Sequence, residues 1–317
     1  MPVDWFRRLL GVAWPAEVDP DLDVALERAA ARVEPRLPQA SGWPRRYRVA
    51  IAAALAQARR VAEGIPGPLE LSPGRYAGEP AVRALFASPE DIRRALCGSP
   101  ALRDYVAAGG RREIYALLSM RRMEKTVLGV DMSGGALRRE VPQTLMWFTD
   151  HRLSGPAEDE AGARRALLWT LFDRFLERLA VGVERLREER ARLLREKDLA
   201  MARLRDADAG REAAAREALE EILRRLAEVT QALELERLAE VFDTVLSHPE
   251  DCLYLTEHTY ALDEMGRLRG GDARATELRF VDLLERYQEP RTVLLAHCRD
   301  FTPVSVGERL REAEGWL

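Results

Sequence analysis

Four histidines and three cysteines are the side chains of this chain best suited to hold a metal or move a proton. Cys252 and His258 stand an even number of residues apart on one expected strand and so share a face, whereas the neighbours His297 and Cys298 face opposite ways. His151 and His248 flank a long helical stretch and are expected to meet at its base if that stretch doubles back. Zinc needs three or four ligands converging at about 2.0–2.3 Å, ordinarily introduced by close pairs, and the sequence offers no such pair. His151, His248, Cys252, His258 and His297 are therefore the residues a metal would use, and the expectation is that neither metal nor cofactor is held.

Other chemistry is scarcer still. Asp19-Pro20-Asp21-Leu22-Asp23 opens like a calcium loop, but lacks the glycine at the sixth position and the glutamate at the twelfth, so it reads as a helix cap. No glycine-rich phosphate loop, dinucleotide fingerprint, nucleophile elbow or paired-histidine zinc helix occurs. Cys97, Cys252 and Cys298 are odd in number and widely spaced, which reads as buried thiols of a reducing compartment. Glu113, Tyr115 and Glu124 fall among Leu117, Leu118 and Met123 as on an amphipathic helix.

The element that dominates the chain is residues 158–247, free of proline and periodic throughout. Apolar residues recur at spacings of four and three through Leu168, Phe172, Phe175, Leu179, Val183, Leu186, Leu193, Ala200 and Leu204. A second series runs Ala215, Leu219, Ile222, Leu226, Val229 and Leu233, then shifts phase to Leu238, Phe242 and Val245. This is coiled-coil spacing. A single helix would reach about 130 Å at about 1.5 Å per residue and leave one face uncovered. A reversal at residues 206–210, where two aspartates and Gly210 cluster, covers it, and a continuous helix with a four-residue stutter, covered by a second chain, gives nearly the same spacing. That hairpin pairs Leu204 with Ala215, Ala200 with Leu219, Leu193 with Leu226 and Leu186 with Leu233. Arg190 and Lys197 occupy stripe positions, where long stems lie along the seam and their charges reach water. Gly155-Pro156 followed by acids marks the start of the stretch.

Residues 21–33, 47–63, 80–86, 90–96, 101–107 and 112–127 read as helices, with Ser88 and Ser99, each before a proline, as start signals. Residues 64–78, rich in glycine and proline, read as an irregular connection. Residues 128–132 and 137–150 read as a β-hairpin turning at Ser133-Gly134-Gly135. Residues 253–262, 276–284 and 292–299 read as strands, with Gly270-Gly271-Asp272 as a turn. Val293 to Ala296 is apolar on both faces, which predicts a central strand.

The expected fold is α+β, mainly α. A helical N-terminal domain spans 1–125, an antiparallel sheet is built from 126–157 and 248–317, and a long antiparallel coiled-coil hairpin arm (158–247) is inserted between its strands. A net charge of −4 gives no general attraction to nucleic acid or to an anionic bilayer. Arginine doublets in the N-terminal helices are what a nucleic-acid binder would use. Trp5, Phe6, Leu9 and Leu10 around Arg7-Arg8 form too short a segment to hold a membrane surface, and no spanning segment is read. The expectation is a soluble, cytoplasmic interaction or scaffold protein without a catalytic motif. It would meet a protein partner, or itself, through Leu186, Arg190, Leu193, Lys197, Leu204, Leu219 and Leu226, with no nucleic acid and no membrane insertion. The alternatives are an enzyme or metal-binding protein with a site at the base of the arm, and a nucleic-acid binder that uses the arginine-rich N-terminal helices.

Overall fold

The computed structural model describes residues 19–133, 136–208, 210–246, 248–269, 275–286 and 288–302. The tryptophan-bearing N-terminal segment, Gly134, Gly135 and the Gly270-Gly271-Asp272 turn lie outside them. Within them the chain is mixed helix and sheet, with a largely antiparallel sheet and a long helix between its strands.

The N-terminal helices begin where their caps dictate. Helix α1 (Pro20–Val33) starts on Asp19, whose carboxylate accepts from the Asp21 N–H at 3.0 Å, so the acidic triplet is a cap. Helix α2 (Arg48–Gly64) leads to a short strand β1 (Leu69–Leu71) inside the connection read from sequence as irregular. Helices α3 (Pro80–Leu85), α4 (Pro89–Gly98) and α5 (Pro100–Ala107) follow. The Ser88 and Ser99 hydroxyls accept from the Asp91 and Leu102 N–H groups at the starts of α4 and α5.

Residues 112–127 overturn the helical reading. They belong to strand β2 (Ile114–Ser133), which pairs with β3 (Ala136–Ala157) in a long antiparallel hairpin. Ile114, Ala116, Leu118 and Met120 are all fully buried along one face of β2. Leu117 is buried on the other face, which erases the alternation that marks a half-exposed strand. Gly155-Pro156 is likewise no helix start, because β3 runs through both. The next helix, α6 (Glu160–Arg205), is instead capped by Asp159, whose carboxylate accepts from Gly162 N at 2.7 Å.

After α6 come α7 (Glu212–Ala232) and α8 (Leu235–Leu246), then β4 (Leu253–Leu262), β5 (Thr276–Glu285) and β6 (Arg291–Cys298). The helical stretch breaks where its apolar series changes, at 206–211 and at Leu233-Glu234. The chain divides into two compact units, Met1–Ala56 with Phe172–Pro249, and Gln57–Leu171 with Glu250–Leu317. Helices α2 and α6 each contribute residues to both units.

In the first unit α1 is tied to α6 by Arg28–Asp173 at 2.5 Å, Arg32–Glu177 at 2.6 Å and Glu34–Arg187 at 2.6 Å. Tyr47 is fully buried, donates its hydroxyl to the Leu235 carbonyl at 3.0 Å and meets the Phe242 ring edge-on. Arg225 of α7 reaches Glu189 of α6 at 2.7 Å. In one straight helix these residues would be about 54 Å apart at about 1.5 Å each, so the chain reverses between α6 and α7.

The second unit holds the six-stranded sheet, in the order β3-β2-β6-β5-β4, with β1 parallel to the outer part of β6. Strand β6 is central, and Val293 to Ala296 are buried as their two-faced apolar run demands. The sheet curls: Phe148 of β3 and Phe280 of β5 stand 5.2 Å apart although two strands separate theirs. The segment Gly266 to Leu268 joins the two ends, since Met146 N donates to Gly266 O at 2.8 Å, Leu268 N donates to Thr144 O at 2.9 Å, and Leu268 bridges Leu262. Gly266 has φ +72, and a Cβ there would lie 2.8 Å from the Met146 carbonyl oxygen, so only glycine fits. Helices α3, α4 and α5 share one hydrophobic core with the concave face through Leu85, Ile92, Leu96 and Leu102. On the other face Gln57 donates to the Leu253 carbonyl at 2.7 Å, and Arg164 of α6 binds the Ala62 and Ile65 carbonyls at the end of α2.

Candidate functional site

The histidines are held by separate neighbours. His151 stacks on Phe86 at 4.4 Å and donates Nε2–H to the Leu85 carbonyl at 2.8 Å, and burial pushes its pKa below the ordinary value. His297 stacks on Tyr115 at 4.3 Å with Nε2 2.9 Å from Glu113. His258 faces Asp282, His248 is exposed in the first unit, and Cys252 is buried. Cys298 is also buried, which pushes its thiol up to about 12. Among the described residues no group of three or more His, Cys, Asp or Glu converges as metal ligands.

What the curled sheet does bring together is a polar cluster that sequence reasoning missed, apart from His258. Asp282 of β5 is nearly inaccessible. Its Oδ1 accepts from the Thr292 hydroxyl at 2.6 Å, while Oδ2 lies 3.0 Å from Arg122 Nη1 and 3.4 Å from His258 Nε2. The Arg122 guanidinium also sits 5.2 Å from the centre of the Tyr260 ring, and burial raises the Tyr260 phenol above its ordinary value. Nη1 of Arg122 is buried, and its approach to Asp282 is Coulombic: no acceptor among the described residues is aligned with it. A carboxylate orienting an imidazole is half of a proton-transfer pair, but the neighbouring Thr292 hydroxyl is spent on Asp282, so the cluster carries no activated nucleophile. Asp282 inside the apolar run Phe280-Val281-Asp282-Leu283-Leu284 was the available signal. Arg122 gave none, because its stretch reads as helix.

A cleft of about 350 Å³ in the second unit is lined by Tyr76, Arg83, Phe86, Trp147, Phe148, Met265 and others. Of the two acids there, Asp263 and Glu264, Asp263 accepts from the Met265 and Arg267 N–H groups and from Arg267 Nε, so it staples the turn.

On α6 and α7 the residues expected to make the interaction surface divide. Leu193 is fully buried, Leu186, Lys197, Leu204, Leu219 and Leu226 are half-buried, and Arg190 is exposed. On α7, Ala215, Leu219, Ile222, Leu226 and Val229 are half-buried while their neighbours are exposed, so the stripe is the less exposed face of the helix. The large apolar side chains left outside include Leu194 (36% exposed), Leu199 (59%), Met201 (38%) and Leu223 (44%). The chain matches no protein-family model, no curated protein and no solved structure. No helix among the described residues is long and apolar enough to cross a membrane.

Proposed function

We propose that this chain is a protein–protein interaction protein, and that α6 and α7 form an antiparallel coiled-coil arm whose outer flank is its binding surface. The stripe on α6 runs Leu186, Arg190, Leu193, Lys197, Ala200 and Leu204, and on α7 Ala215, Leu219, Ile222, Leu226 and Val229. Glu189 and Arg225 each stand immediately before a stripe residue, and in an antiparallel pair flanks of the same kind meet. Their ion pair is the sign of that arrangement.

Leu194, Met201 and Leu223 each stand immediately after a stripe residue, so they share the opposite flank. The single observation that carries the reading is the apolar surface left open on the arm: Leu194, Met201 and Leu223 lie open on one flank, and on the other Leu199 (59% exposed) stands among the ion pairs of Glu189, Arg192, Arg225 and Glu221. Clustered exposed apolar surface of this kind marks a partner site, where single exposed residues do not.

The test places a photo-reactive amino acid at Leu194, or at Glu221 as control, in the full chain within its native cells, with adducts identified by mass spectrometry. A defined adduct from Leu194 and none from Glu221 is the expected result. No adduct from either position, or the same adduct from both, would overturn the reading.

A further inference from the structure

The occupant of that flank can be named from its charges. On α6 each apolar residue has a flank neighbour four positions on, and on α7 Leu223 has Glu220 three positions before it, in each case on the same side of the helix. Moving toward the tip of the arm, α6 presents Leu194, Asp198, Met201 and Arg205. Counted in the same direction α7 presents Leu223, Glu220 and Arg216. On both helices, then, the acid lies nearer the base and the arginine nearer the tip, with Met201 between them on α6.

This order holds for any reversal between α6 and α7, because it depends only on position along each helix. The ion pairs these residues make now, Lys197–Asp198 at 3.4 Å and Arg216–Glu212 at 2.8 Å, are within single helices, and all four side chains except that of Lys197 are exposed. Pairs of that kind hold their side chains weakly and are readily exchanged.

We infer that the flank of Leu194, Met201 and Leu223 binds a second copy of this chain through a twofold axis near Met201, with the two arms pointing in opposite directions. Under that symmetry Asp198 and Glu220 of one copy face Arg205 and Arg216 of the other, and the apolar residues of both are covered. A contact related by a twofold is self-complementary by necessity, and this face has the required alternation of sign. Arms aligned tip to tip would set acid against acid and arginine against arginine. The overlap from Leu194 to Arg205 is about 18 Å long at about 1.5 Å per residue, which places the contact at the small, reversible end of interfaces.

The inference rests on the interaction reading above and adds the identity of the partner. Sedimentation velocity of the full chain, from about 1 μM to several hundred μM, tests it, with circular dichroism confirming equal helix content in every variant. The wild-type chain is expected to dimerise reversibly. D198R/E220R, with two positive bands, and R205E/R216E, with two negative bands, are each expected to lose at least tenfold in self-affinity. An equimolar mixture of the two variants is expected to form a heterodimer. A wild-type chain monomeric at every concentration overturns the inference, as does a D198R/E220R chain that dimerises like wild type or a mixture that stays monomeric. A Leu194 adduct to a different protein, from a monomeric chain, would keep the interaction reading and remove this one.

Discussion

Glu34 offers the most quantitative check on how the helical unit is held. Its side chain is 5% exposed and stands just past the end of α1. Oε1 accepts from Arg36 N at 3.1 Å and Arg36 Nε at 2.9 Å, and Oε2 from Arg36 Nη2 at 3.1 Å and Arg187 Nη2 at 2.6 Å. Hydrogen bonding from Arg36, with a smaller contribution from Arg187, lowers the carboxyl from 4.5 to about 2. A depressed carboxyl stabilises the fold above its unfolded value, and that stabilisation is lost as pH falls through the folded value. The full difference corresponds to about 3 kcal/mol. Arg36 is 62% and Arg187 42% exposed, so water screens part of it, and about 2 kcal/mol is the expected loss for Glu34→Gln at pH 7. The linkage relation leaves about two-fifths of that difference at pH 3. Urea unfolding followed at the helical circular-dichroism band, for wild type and variant at pH 7, 5 and 3, measures it. A gap below about 0.5 kcal/mol at pH 7, or one that stays constant down to pH 3, would refute the reasoning.

Further substitutions at two places probe the sheet unit. Gly67 has φ +116 and a Cβ there would stand 2.3 Å from the Leu295 carbonyl oxygen, so Gly67→Ala is expected to cost about 3 kcal/mol or more. Thermal melting should show this, while Gly78→Ala, with nothing within 4 Å, melts like wild type; equal melting of both variants would contradict the account. Asp282→Asn is expected to cost about 3 kcal/mol by stranding Arg122, and Arg122→Met with Asp282→Leu less than the two single changes summed, by at least about 1 kcal/mol. Additive losses in denaturant titrations would mean that the pair is not coupled.

The sequence carried most of what depends on local chemistry. Caps at Asp19, Ser88 and Ser99, the break near Gly210, and the strands β4, β5 and β6 follow from propensity and period, signals that need no distant partner. Strand β2 failed because both its faces are covered: Leu117, Leu118 and Met120 then read with helical spacing as easily as with a strand's. The polar cluster failed for a different reason. Arg122 and Asp282 lie far apart in the chain, and only the curl of the sheet makes them neighbours. The flank of Leu194, Met201 and Leu223 was hidden by the stripe beside it, because attention to the seam passes over residues one step away.

The bridge from Gly266 to Leu268 also bears on how the protein survives in a crowded solution. The outermost strand of an open sheet offers a row of bare amides and carbonyls, on which another chain can crystallise as one more strand. Here the amide of Met146 and the carbonyl of Thr144 are already engaged by the molecule's own backbone. The clasp acts as a hem: three residues finish the fabric where it would otherwise fray and snag, and that stretch needs neither a charged border nor a covering helix to keep another strand from adding to it.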